Sequence, residues 1–238
     1  IKITTKCIQM SKRKAAPRPD LEAFDVQLTD FIASGSFADV YKGQHRDMPD
    51  VSCAFKVPND QEGIASVDRE ASLLMSIQPP HPNIVTFFDI LSLDCMPLGP
   101  VPCLVMQASD STLQRAVEEN MSLDLENVYG QLRAGLTHLH DRGVVHGDLK
   151  PANVLLDGGK RVRICDFGLS GTVGKPPQMP TQSLWWRAPE QIERDVDHMF
   201  GFGVDLWSLG AILWFVQHRR HMMPSRSEPE HARRICAF

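Results

Sequence analysis

The sequence predicts an α+β fold in two lobes: a small β-rich lobe over residues 25–107 and a mainly helical lobe over 108–238, behind a leader at 1–24. Three observations predict it. Strand-like runs broken by turn residues fill the first part of the chain, with one helix-like stretch among them. After about residue 108 apolar residues recur at helical spacing. The polar stretch "VVHGDLKPANVLL" (144–156) then follows the best-patterned helix, which places its charged side chains on a loop held by a packed scaffold.

The elements follow in order. Residues 1–24 are polar, dense in charge and proline at "SKRKAAPRPD", and read as a flexible leader. "QLTDFIASGSFADVYKG" (27–43) reads as two strands around a Gly/Ser turn, and "VSCAFKV" (51–57) as a third. In "SVDREASLLMSI" (66–77) the spacing predicts a helix with Val67, Ala71 and Leu74 on one face, stopped by Pro79-Pro80. "NIVTFFDILSL" and "VPCLVMQ" read as further strands. Leu125, Val128, Leu132, Leu136 and Leu139 predict a long helix that Gly143 ends. "LWSLGAILWFV" (206–216) is too short to span a bilayer and reads as a buried helix.

Composition narrows the function classes. With 42% hydrophobic and 23% charged residues the 238-residue chain has the makings of a real core. A formal charge of -4 gives no reason to expect nucleic acid or an anionic membrane as partner. Six cysteines, at 7, 53, 95, 103, 165 and 236, include no C-x-x-C pair, which predicts a reduced, cytoplasmic or nuclear setting with neither disulfide framework nor zinc site. The histidines at 218, 221 and 231 lack a ligand set.

Five ordered motifs carry the chemistry: "CAFKV", "DREASLL", "HGDLKPAN", "DFG" (166–168) and "SLWWRAPE" (183–190), with "DLWSLG" (205–210) behind them. Any one alone reads as well as surface charge or a turn. In this order, over roughly Phe24 to Val216, they resemble the eukaryotic-type protein kinases of the serine/threonine pattern. That resemblance implies a two-lobed protein-kinase-like fold and phosphoryl transfer from ATP, with Mg²⁺, to a serine or threonine hydroxyl of a protein substrate. It implies that Lys56 grips the α- and β-phosphates and pairs with Glu70, that Asp148 is the catalytic base, and that Lys150 steadies the γ-phosphate. Asn153 and Asp166 would ligate Mg²⁺, and Ala33, Gly35, Val40, Ala54, Met106 and Leu155 would complete the nucleotide site. Leu74, Phe87, His146 and Phe167 match the family's hydrophobic spine, and Asp205 would bind loop backbone.

The chain departs from the pattern at three places. Against G-x-G-x-x-G-x-V it offers Ala33, Gly35, Ala38 and Val40, so weaker nucleotide affinity is expected before lost activity. Gly147 stands where most relatives carry the arginine that receives an activation-segment phosphate, so one regulatory contact is absent. The sequence also stops before most helices that complete the family's large lobe, and Arg233 and Arg234 arrive too early to be the obvious partner of Glu190. Two alternatives stay open: a nucleotide-binding pseudokinase or regulatory interaction module, and a small-molecule kinase, a class that often reads H-G-D-x-x-x-x-N. A regulatory protein partner is compatible with either protein-kinase reading, and the oligomeric state is not readable.

Overall fold

The computed structural model describes residues 18–19, 26–45, 48–96, 98–175, 183–192 and 201–237. Strands β1 (Arg18–Pro19), β2 (Val26–Ser34), β3 (Ala38–His45), β4 (Met48–Pro58), β5 (Phe87–Met96) and β6 (Gly99–Gln107) form one antiparallel sheet in the order β1-β5-β6-β4-β3-β2. Arg18 and Pro19, read from sequence within the leader, pair with Met96 and Cys95 as a short edge strand; the rest of 1–24 lies outside the described residues.

Period-two alternation in β4 gives the sheet two unlike faces. Cys53, Phe55 and Val57 are buried in a cluster with Leu93, Val101 and Val105, whereas Ala54 and Lys56 point to the other side. Against that side packs α1 (Gln61–Ser76), which buries Gly63, Ser66, Val67, Glu70, Ala71 and Leu74. Asp60 caps it by accepting the Gly63 N–H at 2.8 Å. The helix begins five residues before the apolar spacing that reveals it, because its first turn is polar.

After a turn the chain descends through residues 78–86, which are fastened to what lies below. Asn83 donates to Val162 O and to Gln131 Oε1, both at 2.9 Å. Its carbonyl accepts the Ile164 N–H at 2.9 Å, and the Val85 N–H bonds Ile164 O at 2.8 Å. The sheet strand therefore begins at Phe87 rather than at Asn83.

The lower part is built on α3 (Leu125–His140), capped by Asp124, with Val128, Leu132, Leu136 and Leu139 buried. Gly143 follows at φ +71°, a left-handed turn that glycine adopts without strain. Three short antiparallel pieces, β7 (Ser111–Thr112), β9 (Val154–Asp157) and β10 (Arg161–Ile164), make a small sheet, and β8 (Val144–Val145) pairs with β11 (Gly171–Thr172). Beside them lie α2 (Leu113–Glu118), α4 (Gly203–His218) and α5 (Glu228–Cys236). One continuous core runs from Ala38, Val67 and Leu74 through α3, β9 and β10 to Ile212 and Phe215.

The reading of 206–216 as a buried helix needs one correction. Leu206 is 55% exposed, although Leu209, Ile212 and Phe215 of the same helix are buried.

Candidate active site

Asp205 organises the loop at 146–148 from beneath. Fully buried on α4, it accepts the His146 N–H at 2.9 Å and the Gly147 N–H at 3.0 Å. His140 Nε2 lies 2.8 Å from the same carboxylate, which can only accept, so that nitrogen carries the proton. Nothing singled out His140 in the sequence. It ends α3 and stacks on Phe202 with ring centroids 4.4 Å apart. Gly147 has φ +78°, so the residue that replaces an arginine also sits in a backbone conformation that glycine adopts freely.

His146 is oriented by the Cys165 carbonyl, 3.0 Å from Nε2, which leaves Nδ1 to accept the Asp148 N–H at 3.3 Å. Its ring packs on Phe167 at 5.1 Å, and Leu74 and Phe87 belong to the surrounding core.

The Asp148 carboxylate is held at both oxygens. Oδ2 lies 2.6 Å from Lys150 Nζ and accepts from Asn153 Nδ2 at 3.3 Å, while Oδ1 accepts the Ser183 N–H at 3.1 Å. Lys150 also donates to Ser183 Oγ at 2.9 Å. Asn153 spends its amide hydrogens on Asp148, the second bond going to the backbone oxygen at 2.9 Å, so its amide oxygen remains for another ligand.

Above this loop Lys56 bridges two carboxylates: Nζ lies 2.5 Å from Glu70 Oε2 and 2.7 Å from Asp166 Oδ1. Glu70, fully buried, uses Oε1 to accept the Phe167 N–H at 3.0 Å. Burial alone would lower the Lys56 pKa, but the charges of Asp166 and Glu70 outweigh it and raise it above the usual range. For Asp166 burial pushes up, and the neighbouring Lys56 ammonium wins, bringing the carboxyl down to about 2. Asp166 has φ +67° and a side chain 42% exposed, so a strained backbone turns a charged oxygen toward open space.

The remaining sequence-predicted residues are spread over the strands around this centre. Val40 pairs with Lys56 across β3 and β4, and Ala54 with Met106 across β4 and β6. Leu155 lies on β9, opposite Thr112 and Arg163. Ala33 pairs with Val40, and Gly35 closes the β2–β3 turn with its N–H on Ala38 O at 2.8 Å. Neither Ala33 nor Ala38 takes a positive φ, and the Ala38 methyl is buried in the main core. Here the missing glycines cost no backbone strain.

Residues 166–175 and 183–190 are anchored by packing and hydrogen bonds. Gly171 and Thr172 pair with Val145 and Val144, Ser170 Oγ donates to His146 O at 2.8 Å, and Ser183 joins Asp148 and Lys150 as described. Residues 176–182, Thr181 among them, lie outside the described residues. Further on, Trp185 Nε1 donates to Ser225 O at 2.6 Å and Arg187 pairs with Glu228 at the start of α5. The Glu190 Oε1 lies where a Cβ on Gly203 would approach within 3.4 Å.

The family model described as "Protein kinase domain" matches residues 26–237. A probable serine/threonine-protein kinase of Arabidopsis thaliana is 32% identical over 220 residues, covering 87% of this chain and 37% of that protein. The chain thus spans little more than a third of that relative's length. A chain of the CAK complex from Chaetomium thermophilum bound to ATP-γ-S matches in three dimensions with a TM-score of 0.76 and 24% identity, over 91% of this chain and 69% of that one. At that identity the likeness is one of fold.

Proposed function

Because the chain belongs to the protein kinase family, we propose that it transfers the γ-phosphoryl group of Mg-ATP to serine or threonine hydroxyls of a protein substrate. The observation that carries this reading is the joined set Glu70–Lys56–Asp166, standing over an Asp148 whose two oxygens are both positioned.

The donor set fits magnesium. No cluster of three or more His, Cys, Asp or Glu able to hold a metal occurs among the described residues. Asp166, ionised and partly open, and the spare amide oxygen of Asn153 supply hard ligands that need phosphate oxygens and water to complete a shell, which is the coordination Mg²⁺ favours. When bound, the ion would neutralise phosphate charge.

The protein's own groups then have separable tasks. Lys56, kept cationic by its two carboxylates, presents a fixed ammonium to the nucleotide phosphates. The Asp148 carboxylate accepts the proton of the incoming hydroxyl as its oxygen bonds to phosphorus and ADP departs. Lys150 lies against both Asp148 and Ser183, close enough to the base to offset charge gathering on the transferred group. A reduced, cytoplasmic or nuclear setting and a regulatory protein partner belong to the same reading.

The test is a phosphotransfer assay with Mg-ATP and a generic serine/threonine protein substrate, with Asp148→Asn as control. Transfer by the parent and not by the control supports the reading. A parent that binds Mg-ATP without transferring would make it a binding module, and transfer to choline or an aminoglycoside a small-molecule kinase.

A further inference from the structure

One face of α1 reaches Lys56, the Phe167–Gly168 turn and the β2–β3 turn. Gly63, Ser66 and Glu70 stand at i, i+3 and i+7, which brings them into one row. Glu70 holds Lys56 and the Phe167 N–H, as above. Ser66 abuts the next residue of that turn: a Cβ on Gly168 would lie 2.7 Å from Ser66 Oγ.

Gly63 makes the closest contact of the three. A Cβ there would lie 2.0 Å from Phe37 O, 3.1 Å from Phe37 C and 3.2 Å from Pro58 Cβ, so no other residue fits without displacement of the backbone. Phe37 lies in the β2–β3 turn, the segment the family uses as its phosphate loop. The same carbonyl accepts the Asn59 N–H at 3.0 Å, and Asn59 Nδ2 donates to Gly35 O at 3.3 Å. The turn is therefore closed on itself by Gly35 and Ala38 and fastened to the entry of α1 at two carbonyls. With alanine at positions 33 and 38 it has less backbone freedom than a loop of three glycines, so a displacement of α1 is passed on to the turn rather than absorbed within it.

We propose that Gly63 is a positioning residue: its bare Cα seats the first turn of α1 on the Phe37 carbonyl, so that the phosphate loop and the helix bearing Glu70 move as one body. The loop's hold on nucleotide phosphates is then set through Gly63 and Asn59, neither of which need touch the nucleotide. The inference rests on the ATP reading above and adds the residues that aim its loop.

The experiment compares the Kd of Mg-ATP with that of adenosine, by calorimetry, for the parent, Gly63→Ala and Asn59→Ala. Adenosine lacks the phosphates, so a displaced loop leaves its affinity within about twofold while Mg-ATP weakens at least ~5-fold, the ratio that about 1 kcal/mol gives. Equal losses for both ligands would show general damage to the lobe and overturn the inference, as would unchanged Mg-ATP affinity in both variants. Should Gly63→Ala not fold, Asn59→Ala alone decides, because it removes a bond at the exposed rim of the turn without adding volume. A parent that binds neither ligand overturns the nucleotide reading itself, whereas a parent that binds both isolates any failure to the loop contact.

Discussion

Gly147 donates its N–H to Oδ1 of Asp205 at 3.0 Å while its own φ stands at +78°. The two facts are linked, since the left-handed turn aims consecutive N–H groups of His146 and Gly147 at one carboxylate. An L side chain in that region costs about 1 kcal/mol or more. Gly147→Arg should therefore lower the melting temperature by about 2–4 °C, the shift expected for that energy in a chain of this size. A thermal melt of the variant checks it, and an unchanged or higher melting temperature would show that the turn relaxes.

Among the described residues after Asp166, Gly171 and Thr172 pair with β8, Ser170 bonds His146 O and Ser183 bonds Asp148, and Gly147 has no side chain to receive a phosphate. Thr172→Ala and Thr181→Ala should each change phosphotransfer by less than about threefold, under ~0.7 kcal/mol of barrier. Loss of about a hundredfold in either, restored by Glu, would mean that another basic group does the arginine's work.

Asp166 and Asp148 should fail differently. Asp166→Asn removes the charge beside Lys56 and the proposed hard ligand for Mg²⁺, so Mg²⁺-dependent nucleotide binding should be lost. Asp148→Asn leaves ATP affinity nearly unchanged and lowers turnover at least ~10²-fold, the loss expected for a positioned base. Parallel calorimetry and rate measurements separate the two, and equal loss of binding in both would contradict distinct roles.

The low pKa of Asp166, about 2 against an ordinary 3.8, has a definite consequence for stability. A carboxyl depressed on folding adds stability that is whole above its unfolded pKa and disappears as pH falls through its folded one. The advantage of the parent over Asp166→Asn in thermal melts should hold level from pH 8 to about pH 5 and shrink toward pH 2. An advantage already shrinking near pH 6 would place the charge elsewhere.

Cys165 precedes Asp166 and is half-buried; burial first, then the charges of Asp166 and Glu70, push its thiol up. Iodoacetamide should label it more slowly than the exposed Cys236, because the thiolate is the nucleophile. Bound Mg-ATP should slow it further, and an equal rate with and without nucleotide would set Cys165 apart from the site.

The elements with strong apolar periodicity were legible in the sequence: α3, β4 and the buried face of α1. What escaped was written in polar residues. Gln61, Glu62 and Gly63 open α1 with no apolar signal, although Asp60 is a good cap. In α5 only His231 is buried, so its start was marked by little more than Ser227 and a proline. The motif residues could be named from resemblance, but not the contacts that seat them. His140 on Asp205, Ser66 against Gly168 and Gly63 on Phe37 join residues far apart in sequence, and steric contact at a glycine leaves no pattern to read.

Asn83 ties the descending segment to β10 and α3 by side chain and backbone together, directly beyond the C-terminal end of α1. Arg142 also donates to Gln78 O, two residues past the helix, at 2.9 Å, while the first turn of α1 is seated on the upper sheet through Phe37. The helix thereby joins a segment fastened to the lower half to the turn at Phe37, with the Lys56–Glu70 pair between the two.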